Sequence, residues 1–105
     1  MPTYVLMTKL SSSGMHDPKG RRQAGADWKR KIDAACPGIK WGAHYALLGP
    51  YDFIDIYEAP DQETAFKVSI MSRELGAVAA ESWPAIAYDQ YLPIIEASEK
   101  RIAKP

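Results

Sequence analysis

The chain is poor in almost everything that announces a chemistry. Its 105 residues include one cysteine and two histidines, and its 13 basic side chains are matched by 13 acidic ones. A lone Cys36 forms no intrachain disulfide, which excludes a secreted disulfide scaffold. His16, His44 and Cys36 lie too far apart in sequence to spell a zinc site, so no metal is expected. No Gly-rich phosphate loop, dinucleotide fingerprint or nucleophile elbow is present, and no cofactor is expected. Zero net charge argues against nucleic acid, whose binding is driven by phosphate neutralisation. The same neutrality does little to keep copies apart, so self-association is expected. No apolar run approaches membrane-spanning length, and Met1-Pro2-Thr3-Tyr4 lacks the basic start and apolar run of a signal peptide. The expectation is a cytoplasmic protein with no membrane partner.

What is present reads as one domain over residues 1–105, with a short helical extension from about residue 88. Two runs rich in apolar, aromatic and β-branched residues, Ile39 to Leu48 and Asp52 to Glu58, flank Gly49-Pro50 and read as a β-hairpin. Upstream, Thr3 to Leu10 reads as a strand. Ser11 to Gly20 is a long polar loop, of the kind that is often functional. From about Arg21 to Ala35, Ala24, Trp28, Ile32 and Ala35 recur at helical spacing, and Pro37-Gly38 ends that helix. Pro60 and Asp61 open a second helix, with Ala65, Val68, Ser72 and Leu75 inward and Gly76 as its stop. Ala77 to Tyr88 reads as a fourth strand, which Pro84 assigns to a sheet edge. Tyr88 to Ile102 adds a terminal helix that Pro93 shortens or delays.

The order strand, helix, strand, strand, helix, strand is that of an α+β, ferredoxin-like fold: four antiparallel strands with both helices on one face. The other face then has no layer of its own. A two- or four-residue hairpin connection pairs Leu48 with Phe53, Ala46 with Asp55 and His44 with Tyr57. These residues share one side of the ladder, while Tyr45, Leu47, Ile54 and Ile56 share the other. The second set is more uniformly apolar and is expected to meet the helices. An open face lined by aromatics, an acid and a histidine follows, and a second copy covering it would enclose a cavity.

Three segments carry a resemblance. Leu48-Gly49-Pro50-Tyr51-Asp52, then Glu58-Ala59-Pro60-Asp61, then Glu81-Ser82-Trp83-Pro84-Ala85 resemble the GYD domain family in order and spacing, from Tyr4 to about Tyr91. Pro50 fills the variable position of its Gly-x-Tyr-Asp motif, and Pro2 to Lys9 is similar to its first strand. The resemblance implies a ferredoxin-like protomer that pairs sheet against sheet as a dimeric α+β barrel. It implies no established reaction and no catalytic residues.

His44 and Asp55 are the candidate acid–base pair, because a histidine oriented by a carboxylate moves protons near neutral pH. The plainer alternative leaves Asp55 bonded to Tyr57 or a partner chain and His44 in water. Leu48, Phe53, Tyr57, Trp83 and Glu81 are the candidate ligand-binding residues, although Trp83 and Glu81 suit a dimer interface better than a cavity mouth, tryptophan being enriched at interfaces. Tyr51 and Asp52 are read as turn residues, His16 as a lid or a solvated side chain, and Cys36 as an idle thiol. The basic residues Lys19, Arg21, Arg22, Lys29, Arg30 and Lys31, interspersed with acids, read as a solvated helix face. Three functions follow. The first is an oligomeric binder, dimer or higher, of a small hydrophobic or aromatic molecule held between sheets. The second is a cofactor-independent isomerase or oxygenase-like enzyme using His44 and Asp55, and the third is a structural homo-oligomerisation module.

Overall fold

The computed structural model describes residues 1–11 and 18–103. His16, and with it the lid expectation, lies outside the described residues. The elements are β1 (Thr3–Leu10), α1 (Pro18–Ala35), β2 (Lys40–Ala46), β3 (Phe53–Glu58), α2 (Gln62–Glu74), β4 (Ala77–Ala85) and α3 (Tyr88–Ala103). The strands form one antiparallel sheet in the order β2-β3-β1-β4, the ferredoxin-like arrangement, with the Pro84-bearing strand at an edge. Helix α1 starts earlier than its apolar spacing suggests, because proline is at home in a first turn, where its missing N–H costs nothing.

Local chemistry explains the ends of α2. The Asp61 carboxylate accepts from the Thr64 N–H at 2.8 Å and caps the exposed amides, and Gly76, at φ 115°, takes the left-handed conformation that lets the chain turn into β4. Pro93 neither shortens nor delays α3, which runs straight through it. The residue whose carbonyl loses a donor there, Asp89, is exposed, so solvent can replace the missing bond.

The hairpin differs from the expected register. Ala46 pairs with Phe53, Tyr45 with Ile54 and His44 with Asp55, so the connection spans residues 47–52 and these pairs are displaced by two residues. An even displacement keeps each residue on its side of the ladder. A bulge follows between Trp41 and His44, after which Trp41 rather than His44 lies opposite Tyr57. Gly42 belongs there, since a Cβ at that position would meet the Ile56 carbonyl oxygen at 3.0 Å.

The helices cover the face opposite to the one the apolar pattern suggests. Tyr4, Leu6, Tyr57 and Ala80 point to the helix side and are buried with Ile32 and Cys36 near α1 and Val68 of α2. Trp28, Trp41 and Tyr57 form a continuous aromatic contact, with centroids 5.3 and 5.5 Å apart. The polar atoms on this side find partners. The Tyr57 hydroxyl meets Ser82 Oγ at 2.7 Å, Ser82 meets Ser69 at 2.8 Å, and Trp28 Nε1 donates to Ser72 Oγ at 2.8 Å. Among the described residues no buried side-chain polar atom lacks a partner, so the more polar face is the one that could be buried at little cost.

Candidate functional site

Two constellations lie on opposite sides of the sheet. On the uncovered side, Val5 pairs with Ile56 and Trp83, and Met7 with Ile54 and Glu81, so these residues form one apolar surface interrupted by a single acid. Tyr45 extends it on the far side through its pairing with Ile54. The sequence pattern turns this surface toward the helices; in the structure it faces away from them.

The 47–52 connection folds over one end of that surface. Asp52 anchors it, accepting from the Leu10 N–H at 2.7 Å while its own N–H donates to the Thr8 carbonyl at 2.8 Å. Thus fixed, Tyr51 spans β1 and donates its hydroxyl to Glu81 Oε2 at 2.7 Å. Trp83 Nε1 donates to the other oxygen, Oε1, at 3.0 Å, and its ring meets Tyr51 edge-on at 6.2 Å. The two donors hold the Glu81 carboxyl below the usual range, Tyr51 first, and the same bond raises the Tyr51 phenol. Met7, whose register partner is Glu81, is buried although no helix or strand covers it.

On the helix side, His44 Nδ1 lies 2.5 Å from Asp55 Oδ1. Asp55 is 5% exposed, and burial raises its carboxyl above the ordinary value against the opposing pull of His44. The imidazole stacks on Phe53, at 5.8 Å between centroids, and 59% of the His44 side chain is exposed. The geometry is that of a ring oriented by a buried acid. It belongs to the face beneath the helices, so the expected open face carrying His44, Asp55, Phe53 and Tyr57 does not exist.

The candidate ligand residues therefore separate. Glu81 and Trp83 share the uncovered surface, Phe53 sits beside His44, and Tyr57 is spent in the core. Leu48 is fully exposed in the connection and lines nothing. Tyr51, a turn residue by its sequence setting, reaches beyond the turn to Glu81 and Trp83. A lone aromatic in a turn otherwise built from Gly, Pro and Asp is the signal that it reaches for something. Cys36 is buried, which pushes its thiol up and makes it a poor nucleophile. Among the described residues no group of three or more His, Cys, Asp or Glu gathers to hold a metal ion, and no helix is long and apolar enough to cross a membrane.

The element order and strand order define an α+β, ferredoxin-like protomer. The model of the GYD domain family matches residues 4–95, and the chain belongs to that family. A Thermus thermophilus protein named glutamine synthetase and cystathionine beta-lyase binding protein is 28% identical over 90 residues, covering 82% of this chain and 90% of the relative. Two solved structures share the fold. The crystal structure of FFRP-DM1 has a TM-score of 0.50 at 17% identity and covers 82% of this chain and 100% of that one. At3g17210 from Arabidopsis thaliana has a TM-score of 0.50 at 9% identity and covers 83% and 95%.

Proposed function

We propose that this GYD protein is a homo-oligomeric binding protein that pairs with its own copy through the uncovered sheet face and binds another protein at the Trp83 rim of that face. The observation that carries this reading is the composition of that face. Val5, Met7, Ile54, Ile56, Tyr45 and Trp83 form an apolar and aromatic surface with no layer over it, Tyr45 being 62% and Trp83 44% exposed. Uncovered apolar surface of this kind marks an interaction site. Pairing with a second copy, sheet to sheet, is the simplest way to cover it. The relative's printed name supports a protein partner, and a metabolic enzyme such as glutamine synthetase is the partner class to try first.

The test is native mass spectrometry of the purified protein, followed by titration with the glutamine synthetase of the same organism. The reading expects a dimer or larger oligomer and a saturable complex. A monomer that binds no such enzyme overturns it. Extra mass retained by the native oligomer would instead support a small hydrophobic or aromatic compound between the sheets, with Glu81 and Trp83 at its rim.

One observation favours a second reading, acid–base catalysis. Asp55 fixes one ring nitrogen of a half-exposed imidazole, the arrangement that orients a general base. Once a substrate is known, unchanged turnover in His44→Ala would exclude it.

A further inference from the structure

Among the described residues, helix α3 is exposed along almost its whole length, with Ile95 alone half-buried. It is joined to β4 by Ile86 and Ala87 alone, and its first turn is pinned at once, Gln90 and Tyr91 both donating to the Ala87 carbonyl at 2.9 and 3.1 Å. From there it forms no extended packing with any described element. The molecule is accordingly drawn out to 60 × 30 × 20 Å, with a radius of gyration of 16.9 Å. A compact chain of this length has a radius of about 13 Å. Yet α3 is amphipathic: Tyr88, Leu92, Ile95 and Ile102 recur at helical spacing, with Glu99 on the same stripe.

A matching surface exists elsewhere on the chain. Along the free edge of β4, between it and α2, runs an open groove of about 310 Å³ whose walls include Phe66, Ile70, Ser82 and Pro84, with Arg73 among them. Phe66 and Ile70, one helical turn apart, are 61% and 50% exposed. In the structure α3 runs on from β4 and does not turn back along it, and no described residue of α3 lines this groove. The helix of one copy can enter the groove of another without bending.

We infer that α3 is an exchange arm, its Tyr88-Leu92-Ile95-Ile102 stripe seated in the α2–β4 groove of a second copy of this chain. The inference rests on the self-association proposed above, and interface area supports it. One face of a four-stranded sheet of this length measures roughly 400 Å², so two faces together bury less than the ~1,200 Å² of a stable interface. Two arms about 24 Å long and ~10 Å wide add roughly 1,000 Å², counting both surfaces of each contact, and bring the assembly into the standard range.

The experiment mixes two full-length variants, Ile70→Cys and Ile95→Cys, under mild oxidation. Buried Cys36 stays silent. The inference expects a disulfide-linked species of twice the chain mass in the mixture, far exceeding that from either variant alone, and at least tenfold weaker self-association for Leu92→Asp by sedimentation. It is overturned if Ile95→Cys links to itself, which would pair arm with arm, or if both substitutions on one chain link internally at high dilution. Failure of the arm alone reads as a dimer that persists without cross-linking and ignores Leu92→Asp. Failure of self-association itself reads as a monomer in the unsubstituted protein.

Discussion

Tyr51 and Glu81 hold hands across the central strand: a hydroxyl from the β2–β3 connection donates to a carboxylate of β4 at 2.7 Å, with β1 between them. The bond adds a second tie, to an edge strand, for a loop that Asp52 already anchors to β1, and it holds a charge at the rim of an apolar face. Because Glu81 titrates lower in the folded protein than in the unfolded chain, its contribution is present above the ordinary Glu value of about 4.3 and is lost as pH falls through the folded value. Tyr51→Phe should therefore lower the urea midpoint at pH 6 and change it less at pH 3. Equal loss at both values would mean that the ring and not the hydroxyl matters.

How much of this could be read from sequence differs by level. The order of elements, the cap at Asp61, the stop at Gly76 and the edge position of β4 all follow from local chemistry, and local chemistry is what a sequence displays. The faces of the sheet do not. Both sides of the hairpin are apolar enough to be buried, and the choice falls to long-range partners: Ser69, Ser72 and Ser82 complete the hydrogen bonds of Tyr57 and Trp28 and make the polar-looking side the core. Those serines sit in α2 and β4, far from the hairpin in sequence. The bulge at Gly42 was hidden for the same reason, since only the Ile56 carbonyl opposite shows why a side chain is excluded there.

His44 is the partner of a nearly buried carboxylate, so its removal should be felt through Asp55. Burial holds the Asp55 carboxyl above its ordinary value, so its contribution to stability is fully present below about pH 3.9 and lost as pH rises through the folded value. His44→Ala removes the opposing attraction and enlarges that loss. The expected result is a destabilisation of about 1–2 kcal/mol at pH 7 that nearly vanishes at pH 3, read from denaturation midpoints. A loss independent of pH would show that the imidazole contributes only packing on Phe53.

Tyr57 sets an alkaline limit. Burial pushes its phenol up to about 12, against the bond from Ser82. A folded value above the unfolded one near 10 means that stability is intact below about pH 10 and falls between about 10 and 12, by at most about 3 kcal/mol. Tyr57→Phe should cost about 1 kcal/mol at pH 7, where the Ser82 bond is lost, and should flatten the decline above pH 10. An alkaline limb as steep as that of the unsubstituted protein would assign it to other groups.

The uncovered face provides the most direct prediction for function. Ile54 is half-buried there between Met7 and Tyr45, so an acid in its place meets solvent in the monomer but apolar surface in any sheet-to-sheet pair. Ile54→Asp should leave the monomer folded, since the side chain lies outside the core under the helices, and should weaken self-association at least tenfold by sedimentation. Trp83→Ala acts differently. It removes the largest exposed ring on the face and one of the two donors on Glu81, so a protein partner that docks there should bind at least tenfold more weakly, in keeping with the weight tryptophan carries at interfaces. If Trp83→Ala binds glutamine synthetase undiminished while Ile54→Asp abolishes the dimer, the face serves self-association alone and the partner docks elsewhere.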